Sequence, residues 1–175
     1  LDEKFTGLTD WLLGQCLDFD FISESLIPEL YGGIRRGRCQ IGQMGYKVLI
    51  APFMETMRST TADMLNEWKA AGGRLIFLGG IPACVDGRRS GRAEKLAEDC
   101  ELFGSWGVKL REALQDYSPA ELFYGDHQRA DDLLCQMRQE GEERYLFIAH
   151  KHPPKKKQLV TEKQLTVRMA GAWRW

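Results

Sequence analysis

Long apolar runs are missing from this sequence. None approaches the roughly 20 residues of a membrane-spanning helix, and no signal-peptide pattern opens the chain. A charge bias is missing too. The 24 Lys and Arg residues nearly balance the 25 Asp and Glu, a formal net charge of −1. No global field therefore gathers nucleic acid or an anionic membrane. Cys-x-x-Cys pairs do not occur. The five cysteines, Cys16, Cys39, Cys84, Cys100 and Cys135, are odd in number and scattered. That excludes a small disulfide framework and fits reduced thiols in a reducing compartment, the cytoplasm. An initiator Met is also lacking, since the chain starts Leu1-Asp2-Glu3. A piece of a longer protein is expected.

What is present is ordinary globular material: 175 residues, 43% hydrophobic and 28% charged. That suits one domain, or one domain and part of another. Phe5, Leu8, Leu12 and Cys16 fall at helical spacing. Leu17-Asp18-Phe19-Asp20-Phe21 alternates apolar and acidic, which predicts a strand with one buried face. Ser23 is placed to cap a short helix through Leu30. Tyr31-Gly32-Gly33 and a Gly/Arg-rich turn then follow.

Tyr46 to Phe53 is almost wholly apolar after Lys47, as expected of a parallel strand covered on both faces. From Thr60 the period changes. Thr61, Met64, Leu65, Trp68 and Ala71 make one helical stripe, with Asp63, Glu67 and Lys69 outside it. Gly72-Gly73 ends the helix and Leu75-Ile76-Phe77-Leu78 makes a second oily strand. A strand–helix–strand unit with short loops implies a right-handed crossover and a parallel pair. After a polar loop containing Asp86-Gly87 and Arg88–Arg92, two more helical faces are expected. One runs through Ala93, Leu96, Ala97, Cys100 and Phe103, the other through Trp106, Leu110, Ala113, Leu114 and Tyr117.

Beyond about residue 130 the grammar becomes that of strands. Leu133, Cys135 and Met137 alternate with polar residues. Tyr145 to Ile148 follows a Glu140-Gly141-Glu142 turn, and Leu165, Val167 and Met169 alternate again. Three antiparallel strands are expected there. The boundary is drawn between an α/β domain over 1–128 and antiparallel strands over 129–175 that open a sandwich-like domain.

Candidate sites are each weighed against a plainer role. Arg58-Ser59-Thr60-Thr61 follows a parallel strand and enters a helix, where doubly wound folds bind anions. Phosphate cradles, however, use glycine for close backbone approach, and none lies between Pro52 and Gly72. Thr60-Thr61-Ala62-Asp63 matches a capping box, and that role is preferred. Cys84 follows the second strand, but a nucleophile elbow has small residues two before and two after; here Pro82 and Asp86 stand there. His127 as its base has no support from spacing, so Cys84 reads as an inert thiol. His150 and His152 lack further metal ligands. Lys155–Lys157 beside Pro153 and Pro154 reads as a wet hairpin tip. Asp18, Asp20, Glu24, Glu55 and Asp86 could supply a glycosidic acid/base pair, but Asp18 and Asp20 read as a solvated edge. Trp173 and Trp175 share a face suited to a sugar or to interdomain core.

Four segments taken together carry a resemblance: Asp18-Phe19-Asp20-Phe21-Ile22-Ser23-Glu24, Tyr46 to Phe53, Arg58 to Thr61, and Ala70 to Gly79. In this order they resemble the middle domain of large bacterial glycoside hydrolases of the β-galactosidase and α-rhamnosidase-like kinds. That domain is similar to flavodoxin and to class I glutamine amidotransferases, and in galactosidases it is called the trimerisation domain. Glu143 to His150 and Leu165 to Arg168 look like the start of the β-domain that follows. The resemblance implies a three-layer flavodoxin-like parallel sheet lacking its first strand, followed by a short antiparallel β segment. It implies a non-catalytic accessory role: packing on a separate catalytic domain, covering its cleft, or joining identical subunits. No catalytic residue, cofactor or metal is carried over. Contacts to a neighbour or to carbohydrate would fall to Glu55, Arg58, Ser59 and Thr60, and neither nucleic acid nor membrane is an expected partner. Two other functions stay open: an amidotransferase- or protease-like enzyme using Cys84, and a flavin- or nucleotide-binding module with a phosphate at Arg58–Thr61.

Overall fold

The computed structural model describes residues 2–125, 127–152 and 164–169. Lys155–Lys157, Pro153, Pro154, Trp173 and Trp175 lie outside the described residues. Along the chain the elements are helix α1 (Asp2–Gly14), a 3₁₀ turn over Glu24–Leu26, helix α2 (Ile27–Leu30), and strands β1 (Tyr31–Arg35), β2 (Arg38–Ile41), β3 (Met44–Tyr46), β4 (Val48–Pro52) and β5 (Thr56–Met57). Next come α3 (Ser59–Ala70), β6 (Arg74–Leu78), β7 (Cys84–Val85), β8 (Arg88–Arg89), α4 (Arg92–Ala97), β9 (Glu101–Phe103) and α5 (Val108–Leu114). Strands β10 (Ala120–Tyr124), β11 (Leu133–Glu140), β12 (Glu143–His150) and β13 (Leu165–Met169) complete the set. The protein is mixed α/β. Two compact units divide it, one spanning residues 20–107 and one combining 2–19 with residues 108 onward.

The first unit is built on a three-stranded parallel sheet in the order β4-β6-β9. Val48 to Pro52 run beside Arg74 to Leu78, and Ile76 to Leu78 beside Glu101 to Phe103. The central strand explains its own composition. Leu75, Ile76, Phe77 and Leu78 are all buried, as a parallel strand covered on both faces requires. Helix α3 links β4 to β6, and α4 lies between β6 and β9. The helical stripe in α3 follows its period over Thr61, Met64, Leu65 and Trp68, which are buried while Asp63 and Glu67 are exposed; Ala71, expected in the same stripe, caps the helix end and is exposed, and Lys69 is half-buried.

Trp68 anchors this packing. It is 1% exposed, and its indole Nε1 donates to the Arg74 carbonyl at 2.9 Å. The buried ring thus keeps its one polar group satisfied. Gly72 (φ +80) closes α3 in the left-handed conformation. Gly73 is demanded by the ring itself, because a Cβ there would lie 2.0 Å from Trp68 Cδ2. Against the same core pack Cys39, Tyr31, Ile34 and Ile41 of the antiparallel meander β1-β2-β3. That meander grows from the Gly/Arg-rich stretch, where Arg36 (φ 52) and Gly37 (φ 69) make a two-residue turn between paired Arg35 and Arg38.

The second unit joins α1 to the late strands. Leu8 and Leu12 bury the apolar face of α1, which ends at Gly14, and the chain then turns left-handed at Cys16 (φ 55). β11 and β12 form a hairpin whose register runs from Leu133↔His150 to Glu140↔Glu143. Lys151 Nζ ties the end of that hairpin to α1, donating to the Asp10 carbonyl at 2.7 Å and pairing with its carboxylate at 2.9 Å. Buried Ser118 donates its hydroxyl to the Ala120 carbonyl at 2.7 Å.

Several expectations are corrected. Leu17 to Phe21 form no strand, and Phe21 is 50% exposed; alternation supplies a face, but a strand also needs a hydrogen-bonded neighbour. The helical face drawn through Phe103 stops at Ala97. Asp99 turns left-handed (φ 62), and Glu101–Phe103 become β9. Among the described residues the three late strands do not share one sheet: β13 pairs with β10, a strand the sequence does not signal, while β11 pairs with β12. Among the described residues, no helix is long and apolar enough to cross a membrane.

Candidate functional site

The carboxyl edge of the parallel sheet is where an open α/β fold presents its contacts. Here that edge is made by the chain from Phe53 to Ser59 and by the β7–β8 hairpin. Phe53 leaves β4 with φ 51, its amide donating to the Leu78 carbonyl at 2.6 Å. Its ring meets Trp106 edge to face, with centroids 5.7 Å apart at 83°. Gly79 (φ +84) makes room, since a Cβ there would come 2.1 Å from the Phe53 ring.

β5 then pairs in parallel with β7, Thr56 beside Cys84 and Met57 beside Val85. β7 turns back into β8 through Asp86 (φ 50) and Gly87 (φ 72). Two successive left-handed residues in an Asp-Gly turn are a hairpin signature. The turn is fastened to β5, with the Asp86 amide donating to the Met57 carbonyl at 2.9 Å and the Gly87 amide to Thr56 Oγ1 at 3.2 Å. Asp86 is thereby aimed at the start of α3.

The N-terminus of α3 is closed by two carboxylates from elsewhere in the fold. Arg58, the N-cap residue, donates its amide to Glu24 Oε1 at 2.8 Å, and Ser59 donates its amide to Asp86 Oδ1 at 2.9 Å. These amides are orphan donors of a helix start, and the positive end of the helix dipole favours the negative charge. The Ser59 amide, then the Ser59 hydroxyl, hold the Asp86 carboxyl below its usual range, with Arg92 and Arg58 adding to the effect.

The capping box is therefore corrected. The cap residue is Arg58, without a side-chain cap bond, and Thr60 lies inside the helix. Asp63 is engaged by the Arg92 guanidinium instead. Thr61 Oγ1 is buried and bonds to no other described residue. Glu24 and Asp86, which the sequence offers only as candidate acids, are what serve the helix amides. The Asp86-Gly87 dipeptide was the available signal for the hairpin that delivers one of them.

The remaining candidates are dispersed. Glu55, Arg58 and Thr60 are exposed on this edge and Ser59 is half-buried. Cys84 occupies a two-residue strand within a hairpin, not a strand-to-helix elbow, and is half-buried. His127 belongs to the other unit. His150 ends β12, with His152 beyond it, and both are exposed. Asp20 accepts a hydrogen bond from the Tyr46 hydroxyl. Among the described residues, no group of three or more His, Cys, Asp and Glu side chains is placed to hold a metal ion.

The second unit has a polar hollow of about 550 Å³ lined by Tyr124, Gln128, Arg129, Asp132 and Gln164. Arg129 pairs with Glu121 at 2.8 Å, and the Tyr124 hydroxyl donates to the Asp132 carboxylate at 2.6 Å. No protein-family model, curated protein or solved structure matches this chain.

Proposed function

We propose that the chain is a non-catalytic accessory part of a multi-domain glycoside hydrolase, built on a flavodoxin-like three-layer sheet, with its carboxyl edge given to packing against a catalytic domain or an identical subunit. One observation carries this reading. The helix start at which a flavodoxin-like fold would take a phosphate has its Arg58 and Ser59 amides bonded to Glu24 and Asp86. A flavin or nucleotide phosphate would have to displace two carboxylates already paired there, and would meet their negative charge.

Supporting it further is what this edge leaves outward. Glu55, Arg58 and Thr60 are exposed, a polar and mixed-charge set suited to hydrogen bonds with a protein surface or with sugar hydroxyls. The chain's resemblance to the middle domain of galactosidase-like enzymes supplies the enzyme class.

The test compares two proteins on a panel of nitrophenyl glycosides. The 175-residue chain releases no nitrophenol, whereas the longer reading frame containing it does. Hydrolysis by the 175-residue chain alone overturns the reading, as does a longer reading frame with no glycosidase activity.

A further inference from the structure

Cys16 and Cys135 are far apart in sequence and neighbours in the second unit. Cys16 is 3% exposed and belongs to a small core with Leu122, Ala130 and Leu133, against which Cys135 packs. Three features bring the two together. Just past the end of helix α1 the chain turns left-handed at Cys16 (φ 55), and Cys16 packs with Leu122 of β10 and Leu133 of β11. Gly14 permits a close approach to the turn that leads into β11: a Cβ on it would lie 3.1 Å from the Asp131 carbonyl. Leu133 and Cys135 alternate on β11 and so face the same side. The two thiols are thereby close enough for each to perturb the protonation of the other.

We propose that Cys16 and Cys135 form a dithiol poised for reversible closure to a disulfide, a modification site that fastens the end of helix α1 to strand β11. The partners are unequal. The interaction with Cys135 pushes the Cys16 thiol up, with burial adding to the effect. The same interaction pulls the Cys135 thiol down, and Cys135 is the more exposed of the two. Cys135 is accordingly the first to react, because the thiolate is the nucleophile.

With a small-molecule disulfide as oxidant, the Cys135 thiolate attacks one sulfur and expels the other half as a thiolate. A mixed disulfide on Cys135 results. Cys16 then loses its proton to that thiolate or to solvent and attacks the Cys135 sulfur, expelling the second half. Two protein thiols are oxidised to one disulfide while one small disulfide is reduced to two thiols. In a reducing compartment the pair stays open, and an oxidising one closes it. Because the bond joins residues distant in sequence, it restricts the unfolded chain strongly.

The whole chain is incubated with oxidised glutathione, alkylated, digested and mapped by mass spectrometry. The expected main product is a peptide pair joined through Cys16 and Cys135, two hydrogens lighter than the dithiol, with an unfolding midpoint raised by roughly 5–10 °C and reset by dithiothreitol. Glutathione retained on Cys135 as the main product, a bridge through another cysteine, or an unoxidised pair overturns the proposal. In Cys16→Ser, glutathione is retained at Cys135; a variant that takes up none contradicts the order of attack. The wild-type map decides the proposal even where that variant folds poorly.

Discussion

The Ser59 backbone amide donates to the Asp86 carboxylate at 2.9 Å, across 27 positions of sequence. One carboxylate therefore links the start of α3 to the β7–β8 hairpin, and its charge is favourable only while ionised. The Asp86 pKa is held below its ordinary 3.8. A depressed carboxyl contributes stability above the unfolded value and loses it as pH falls through the folded value. Asp86→Asn is therefore expected to be less stable than wild type at neutral pH, with the gap closing below about pH 4. Urea midpoints measured from pH 7 downward check this; a gap independent of pH contradicts it.

Gly73 lies where a side chain would enter the Trp68 ring. Gly-to-Ala changes at permissive sites stabilise by about 0.4–1 kcal/mol. Here the sign reverses: Gly73→Ala is expected to cost about 1–3 kcal/mol through overpacking. Trp68→Ala removes the ring altogether and should cost about 3–5 kcal/mol. Denaturant unfolding of both variants and the double mutant tests the pair. The double mutant should cost less than the sum of the two, because the clash disappears with the ring.

Arg74 and Glu101 join neighbouring parallel strands through a two-pronged contact at 2.6 and 2.9 Å. The Arg74 guanidinium holds the Glu101 carboxyl below its usual range. The Glu101 side chain is 40% exposed, so solvent screening keeps the value of the pair small. Glu101→Gln is expected to cost less than about 1 kcal/mol and to cost still less in 1 M salt. Its contribution is present above the ordinary carboxyl value and fades as pH falls through the lowered one. Unfolding at two salt concentrations measures it.

Thiol accessibility supplies a fourth check. Cys39 is 0% exposed and burial pushes its thiol up to about 11, whereas Cys84 is half-buried. Iodoacetamide at neutral pH should label Cys84 well before Cys39, and Cys39 should react only when denaturant opens the core. Mass spectrometry of timed quenches gives the order. Early labelling of Cys39 would contradict its place in the core.

The elements that could be read from sequence were those whose pattern and packing coincide. The Met64–Trp68 stripe and the Leu75–Leu78 run each specify which faces are buried, and the short loops between them fix a parallel pair. The β11–β12 hairpin was legible for the same reason, since alternation flanked a Gly141 turn. Elsewhere a local pattern lacked its tertiary partner. Asp18 to Phe21 alternate but form no strand among the described residues. Phe103 fits a helical spacing from Leu96, but Asp99 breaks the helix and β6 offers an edge to pair with. The site shows this most clearly. Thr60 and Asp63 match a capping box by spacing, while the groups bonded to the helix amides come from Glu24 and Asp86, distant in sequence. No window around Ser59 contains that information.

The most direct test of the account observes the Arg58 and Ser59 amides themselves. In ¹⁵N-labelled protein their amide resonances are expected to stay in place as FMN, a nucleotide or inorganic phosphate is titrated in, because Glu24 and Asp86 already accept from both. Saturable displacement of those two resonances by any of the three ligands would contradict it.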